Sequence, residues 1–450
     1  MKASIVFLEA CLESIATGLK FDGASLAENG EVLVEILEAI VPSPAPASLP
    51  NAISSIASAY AAHPTDFVVA TLDLVLDGLA PSDLVNLAIG ESSIENSSNN
   101  LNLVSPTPAV YPQKSSGDAP YSVDKNSLRS AIYIPPEFTY GKVPPLLFIP
   151  GTGTTAGQNF APNFGKLFAV RTMQIRCMSI FLAIKSEYVA NAINYISAIS
   201  ANRNVFMLAW SAGSLDGQWA MTYWPSTRSI ASDFITISGD FHGTTLAYII
   251  CPCFPQRKCP PAVVQQEYNS TFVATLRNAG GSSAYVPTTS IYSILDEIVQ
   301  PQEGTGASTY ILDERNVGVT NVELQNACTV AQPAGTLYAH EGVLYNPLAF
   351  ALAKDALTHD GPGELSRIDV ASECQKIVAD GLGLPDLLAT EGDIVIAAYE
   401  VIVYPNQTYT ASRELAYVLR AWLSSSSLPL VVQELDMLIR WLEPPIMGYA

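Results

Sequence analysis

The stretch that most limits what this chain can fold into is Asn204–Gln218, which reads NVFMLAWSAGSLDGQ. Val205–Ala209 is an apolar run long enough for one buried parallel strand and too short for a helix. A helical pattern follows through Trp219–Tyr223. Ser211 therefore sits in a strand–turn–helix joint, with Ala209 two positions before it and Gly213 two after. Small residues at both positions suit a nucleophile elbow, a turn so tight that larger side chains there would collide. Ala209 stands where the commonest form of the pattern has glycine, and an ordinary joint with a capping serine gives similar local sequence. The rest of the chain must decide between the two.

Pro145–Ile149 reads as a buried strand running into Pro150-Gly-Thr-Gly-Thr-Thr-Ala-Gly157. Gly151, Gly153 and Gly157 fit a loose dinucleotide fingerprint, but that motif wants an acidic residue about 20 positions on to hold a ribose hydroxyl. None occurs between Gly157 and Glu187. The competing reading is an oxyanion loop, whose backbone N–H groups, with the Thr152 hydroxyl, face a neighbouring nucleophile. Downstream, Phe234–Ser238 and Thr289–Ile294 read as strands that end at Gly239-Asp240-Phe-His242 and Leu295-Asp296-Glu297. Residues 263–279 read as a helix between them. This alternation predicts a doubly wound, mostly parallel α/β sheet whose sites lie beyond the carboxyl ends of its strands. A nucleophilic Ser211 needs a base, and the histidines are His63, His242, His340 and His359. His242 lies close to the elbow and competes. The α/β-hydrolase order of serine, acid, histidine selects His340, with Asp296 or Glu297 as its acid.

Charge narrows the partners. The chain carries 22 Lys and Arg against 42 Asp and Glu, a formal net charge of −20, which disfavours nucleic acid and anionic membrane surfaces. No long uncharged apolar run suggests a transmembrane helix. The start is ambiguous: Ile5–Leu8 resembles a signal-peptide core that Glu9 interrupts. The sequons at Asn96, Asn269 and Asn406 fit a secreted glycoprotein. Seven cysteines leave at least one unpaired in a monomer. Cys251, Cys253 and Cys259 lack the partners for a four-ligand zinc site, so a local disulfide is expected and no metal. Residues 1–105 read as a helical extension or propeptide, with Val32–Ile40 and Phe67–Leu79 as apolar-faced segments and a Pro/Ser/Asn linker. Residues 106–388 read as the catalytic domain, and 389–450 as a helical cap including Glu414–Leu423.

Several matches in one order carry a family resemblance. Leu147–Thr155, Ala209–Gly213 through Trp219, Leu276-Arg-Asn-Ala-Gly-Gly281, Pro287-Thr-Thr289, and Asp296-Glu-Ile-Val-Gln-Pro-Gln302 resemble the Candida antarctica lipase B-like family of fungal α/β-hydrolase lipases. The resemblance covers roughly Ser116 to Cys374. It implies Ser211 as nucleophile, Asp296 as acid and His340 as base, with Thr152 and the Ala212 backbone N–H as the oxyanion hole. It also implies a Cys328–Cys374 disulfide, and Asp240 and Gln266 as polar residues on the acyl side of the pocket. Ala212 replaces a family glutamine, which costs little because the hole uses a backbone N–H. The family's C-terminal disulfide is absent.

Residues 170–185 depart most: the family has a strand and a pocket-lining loop where this chain reads VRTMQIRCMSIFLAIK. Codons for this segment read one base earlier can encode Tyr-Ala-Asp-Pro-Val-Tyr-Val-Asn-Ile-Pro-Gly. A wrong-frame stretch is therefore a hypothesis, refuted by a transcript that supports the frame as written. The sequence-level expectation is an α/β-hydrolase fold and a monomeric, secreted, cofactor-free serine carboxylic-ester hydrolase acting on lipid-like or small esters. Its only contact with a lipid interface would be transient. The alternatives are a catalytically impaired lipase-like binding protein, should the 170–185 segment be genuine, and more remotely a dinucleotide-dependent enzyme.

Overall fold

A computed structural model describes residues 41–62, 73–80, 97, 100–168, 172–175, 182–250 and 259–403. Helix α1 (Leu49–Ala62) precedes α2 (Lys125–Ser130), β1 (Ile132–Tyr133), β2 (Leu146–Ile149), α3 (Ala156–Phe160), β3 (Thr172–Ile175) and α4 (Leu182–Ile199). Then come β4 (Val205–Trp210), α5 (Gly213–Tyr223), β5 (Ala231–Ile237), β6 (Thr288–Tyr292), β7 (Val319–Glu323), α6 (Pro347–Thr358) and α7 (Leu384–Val403).

The strands form one sheet in the order β1-β3-β2-β4-β5-β6-β7, parallel throughout except for the β1–β3 pair. Strand side chains alternate between faces. Leu146, Phe148, Leu208 and Trp210 enter one core, while Leu147, Ile149, Val205, Met207 and Ala209 enter the other. Both faces are covered, which is why these strands read as unbroken apolar runs rather than alternating ones. This is the α/β-hydrolase fold. From β2 the chain passes outward to β3, then returns across β2 to β4 on its other side. The strand order reverses there, so the carboxyl ends of β2 and β4 flank the crevice where open α/β sheets hold their sites.

Several expectations need adjustment. Residues 263–279 are not one helix: Pro261–Gln265 and Thr271–Leu276 are separate short helices. The break comes where Thr244 N–H donates to the Gln266 carbonyl at 2.6 Å, and Ser270 caps the second helix by accepting from Val273 N–H. Helix α7 is continuous from Leu384 to Val403, so a boundary after residue 388 falls inside it. Ala52, Ile56 and Ala59 of α1 belong to the same buried cluster as Leu344 and Leu352, so α1 packs into the core on that face of the sheet. The divergent 170–185 segment supplies β3, paired parallel to β2. Val32–Ile40, Glu414–Leu423, His63, Asn96, Asn406, Cys11, Cys177, Cys251 and Cys253 lie outside the described residues.

Cys328 and Cys374, both buried, form a disulfide between residues 46 apart, as the resemblance implied. Cys259 is also disulfide-bonded, and its partner lies outside the described residues. Cross-linking restricts the unfolded chain, so replacing Cys328 and Cys374 together by alanine should lower stability by about 3–4 kcal/mol. Urea unfolding checks this, and a loss below about 1 kcal/mol would show that the loop is held by other contacts.

Candidate active site

Ser211 follows β4 directly and takes φ +56°, a left-handed conformation that non-glycine residues rarely adopt. Helix α5 begins two residues later, so Ser211 occupies the strained turn of a nucleophile elbow. The small flanking residue is required here: a Cβ on Gly213 would lie 2.6 Å from the Ile149 carbonyl oxygen and 2.8 Å from that of Pro150. The β2 loop is equally close on the other side. A Cβ on Gly151 would stand 2.7 Å from the Trp210 ring and 3.2 Å from Ser211 Cβ. A Cβ on Gly153, at φ +69°, would meet the Ala397 carbonyl of α7 at 3.0 Å. Gly151 and Gly153 are thus explained by close packing against the elbow and α7. Gly151 N–H and Thr154 Oγ1–H both donate to Asn159 Oδ1, at 3.1 and 2.8 Å, and fix the loop from inside.

The loop that brings in His340 is held at three points. Its carbonyl accepts from Trp210 Nε1–H at 3.2 Å and from Ser238 Oγ–H at 2.8 Å. Its backbone N–H donates to Glu297 Oε2 at 3.0 Å. Its ring lies 4.8 Å from the Trp210 ring, beside the residue preceding the serine. His340 Nδ1 meets Asp296 Oδ2 at 2.8 Å, with both side chains almost fully buried. Of the two adjacent carboxylates, Asp296 contacts the ring and Glu297 the backbone. Asp296 Oδ1 accepts from the N–H groups of Ile298 and Val299 at 2.9 and 2.8 Å, and Gln300 donates to its carbonyl. With Nδ1 engaged, Nε2 is the ring nitrogen left for a proton acceptor role.

His242 is not so placed. Its Nδ1 contacts the Ser308 carbonyl at 2.8 Å, and burial lowers its pKa. His359 sits at the end of α6, against Asp355. Gln266 Nε2–H donates to Thr152 Oγ1 at 2.7 Å. Because Thr152 accepts there, its own hydroxyl proton is free to point elsewhere. Ala212 is the N-cap of α5, where helix N–H groups are unpaired within the helix. Asp240 follows β5, is fully buried, and accepts from Ser308 Oγ–H at 3.2 Å, while its N–H donates to Ser214 Oγ at 2.6 Å. Desolvation raises the Asp240 pKa well above the usual carboxylate value.

Residue spacing did not indicate the buried acids behind His340. Tyr60 of α1 donates to Glu341 Oε1 at 3.0 Å, and Tyr345 to Glu391 Oε1 at 2.7 Å. Glu297, Glu341 and Asp393 have pKa values raised well above normal, and Glu391 is raised to about 7, in each case first by burial. Each acid holds its proton more tightly in the folded than in the unfolded chain. Their stability is fully present below the ordinary carboxylate values near about 4.5 and is lost as pH rises through the folded values. The thermal midpoint should therefore fall from about pH 5 to about pH 8, and Glu391→Gln should flatten that fall. A midpoint that rises over this range would contradict the raised pKa values of these buried acids.

No protein-family model matches the chain. Lipase B of Pseudozyma antarctica is 30% identical over 319 residues, covering 68% of this chain and 88% of that protein. The crystal structure of Aspergillus fumigatus lipase B matches with a TM-score of 0.80 at 43% identity, covering 92% of this chain and 99% of that one. These matches agree with the motifs first read from the glycine loop and the elbow, and the chain belongs to the Candida antarctica lipase B-like family of fungal α/β-hydrolases.

Proposed function

We propose that this protein is a serine carboxylic-ester hydrolase, a lipase or esterase, working through an acyl-enzyme. The observation that carries the reading is the joint placement of Ser211 at a positive φ and a buried Asp296–His340 pair whose loop is pinned to Trp210. In the proposed reaction Ser211 Oγ attacks the ester carbonyl and His340 Nε2 takes its proton. Asp296 holds the tautomer and stabilises the imidazolium. The negative oxygen is met by the Thr152 hydroxyl and backbone N–H groups of Thr152 and Ala212. His340 then protonates the leaving alcohol, and water repeats the sequence to release the acid. None of these steps calls on a metal or organic cofactor.

Lipid-like esters are the proposed substrate class. The names of both relatives, lipase B, support this. Asp240 and Gln266 would be the polar groups on the acyl side of the pocket. Secretion is proposed because Cys328–Cys374 and the bonded Cys259 need an oxidising compartment. Among the described residues no helix is long and apolar enough to cross a membrane.

The test is hydrolysis of short- and long-chain p-nitrophenyl esters by the purified full chain. Ser211→Ala should lower kcat by about 10⁴-fold or more, and Asp296→Asn by about 10³–10⁴-fold, with little change in KM. A wild-type rate no greater than that of Ser211→Ala would point instead to a binding protein, and the chain-length profile separates lipase from esterase.

A further inference from the structure

Behind the elbow lies a buried ion pair that the reaction above does not use. Lys185, in the first turn of α4, and Asp216, in α5, meet at 3.3 Å with side chains 2% and 0% exposed. Replacing a buried pair with apolar residues is often neutral or stabilising, so stability alone is a weak reason for two charges here. Lys185 Nζ has another partner: it donates to the Gly151 carbonyl at 3.3 Å. Ser186 Oγ lies 3.3 Å from Asp216 Oδ1 and 2.9 Å from the Leu182 carbonyl, the two acceptors within reach of its one proton.

Gly151 is the residue before Thr152, and the bond between them is not among the cis peptides. In a trans peptide the C=O of one residue and the N–H of the next point in opposite directions across a rigid plane. A cation that fixes the Gly151 oxygen therefore fixes the direction of the Thr152 N–H, which points away from Lys185. The same loop backbone is in close approach to Ser211. The other side of Thr152 is held through its hydroxyl by Gln266. Both grips meet at one joint: Leu182 N–H, at the start of α4, donates to Gln265 Oε1 at 2.6 Å, next to Gln266.

We propose that Lys185, held by Asp216, is a positioning residue that sets the Gly151–Thr152 peptide plane so that the Thr152 N–H serves the oxyanion hole. The proposal rests on the ester-hydrolase reading. Lys185 touches no substrate atom. Its effect passes through the loop, and it should appear in binding of the tetrahedral state rather than of the ground-state ester.

The experiment uses the purified full chain, an alkyl p-nitrophenyl ester and an alkyl boronic acid, which forms a tetrahedral adduct on a reactive serine. Wild type against Ser211→Ala first tests the reading itself; equal rates reject that reading and this proposal with it. Given a Ser211-dependent rate, the double variant Lys185→Met with Asp216→Leu removes both charges together and leaves neither unpaired. Its kcat should fall by about 10–100-fold with KM within about twofold, and boronic acid inhibition should weaken by the same factor. The double variant Lys185→Gln with Asp216→Asn keeps an uncharged donor near the Gly151 oxygen and should recover most of the loss. A folded Met/Leu variant with kcat and boronic acid affinity within about twofold of wild type overturns the proposal. So does a Met/Leu variant that cannot fold, since the pair would then serve the fold, or a Gln/Asn variant as impaired as Met/Leu.

Discussion

The close apposition of the carboxyl ends of β2 and β4 is the constraint on which the site depends. Adjacent parallel strands stand under 5 Å apart, and here both chains turn away at the same level. Gly213 and Gly151 allow this, because any Cβ at either position would overlap the opposing backbone or the Trp210 ring. Ser211 and the Thr152 loop are consequently neighbours by construction of the sheet. Thr152 and Ser211 are 59 positions apart in the chain, and only the crossover through β3 brings them together.

A second level of order surrounds the histidine. Trp210 belongs to the elbow strand and its indole N–H holds the His340 carbonyl, so the His340 loop is tied to the strand that leads into Ser211. Glu297 follows the acid directly and holds the His340 N–H. The Asp296 and His340 loops are thus joined twice, once through the ring and once through the backbone. Behind them a group of buried carboxylic acids shares hydrogen bonds with Tyr60 and Tyr345. Burial disfavours the charged form of each, and mutual proximity adds to that, so protons are part of the packing. Through Tyr60, α1 touches the residue after His340, which makes a segment ahead of the hydrolase sheet a structural neighbour of the site.

Much of the candidate site was legible in the sequence because its residues are concentrated at strand ends. Ser211 was a candidate from an apolar run with small flanking residues, and His340 from chain order. The choice between Asp296 and Glu297 was not legible by spacing alone, since adjacent carboxylates differ only in the direction of their side chains. The break within 263–279 was also hidden. Its cause is a hydrogen bond from Thr244 to the Gln266 carbonyl, made by a loop more than 20 positions away. That break matters, because it turns the Gln266 amide toward Thr152.

By itself the sequence determined the alternation of strands and helices, the buried character of β2 and β4, and the residue types available for nucleophile, base and acid. These depend on local periodicity and on turn sterics, which act over a few residues. Tertiary structure alone decided that α1 and α7 pack against the hydrolase core, and that Lys185 and Asp216 pair beneath the glycine loop. The physical reason is that burial and hydrogen-bond partnership are set by elements far apart in the chain. A lysine and an aspartate 31 positions apart look like ordinary solvated charges until two helices bury them against one carbonyl.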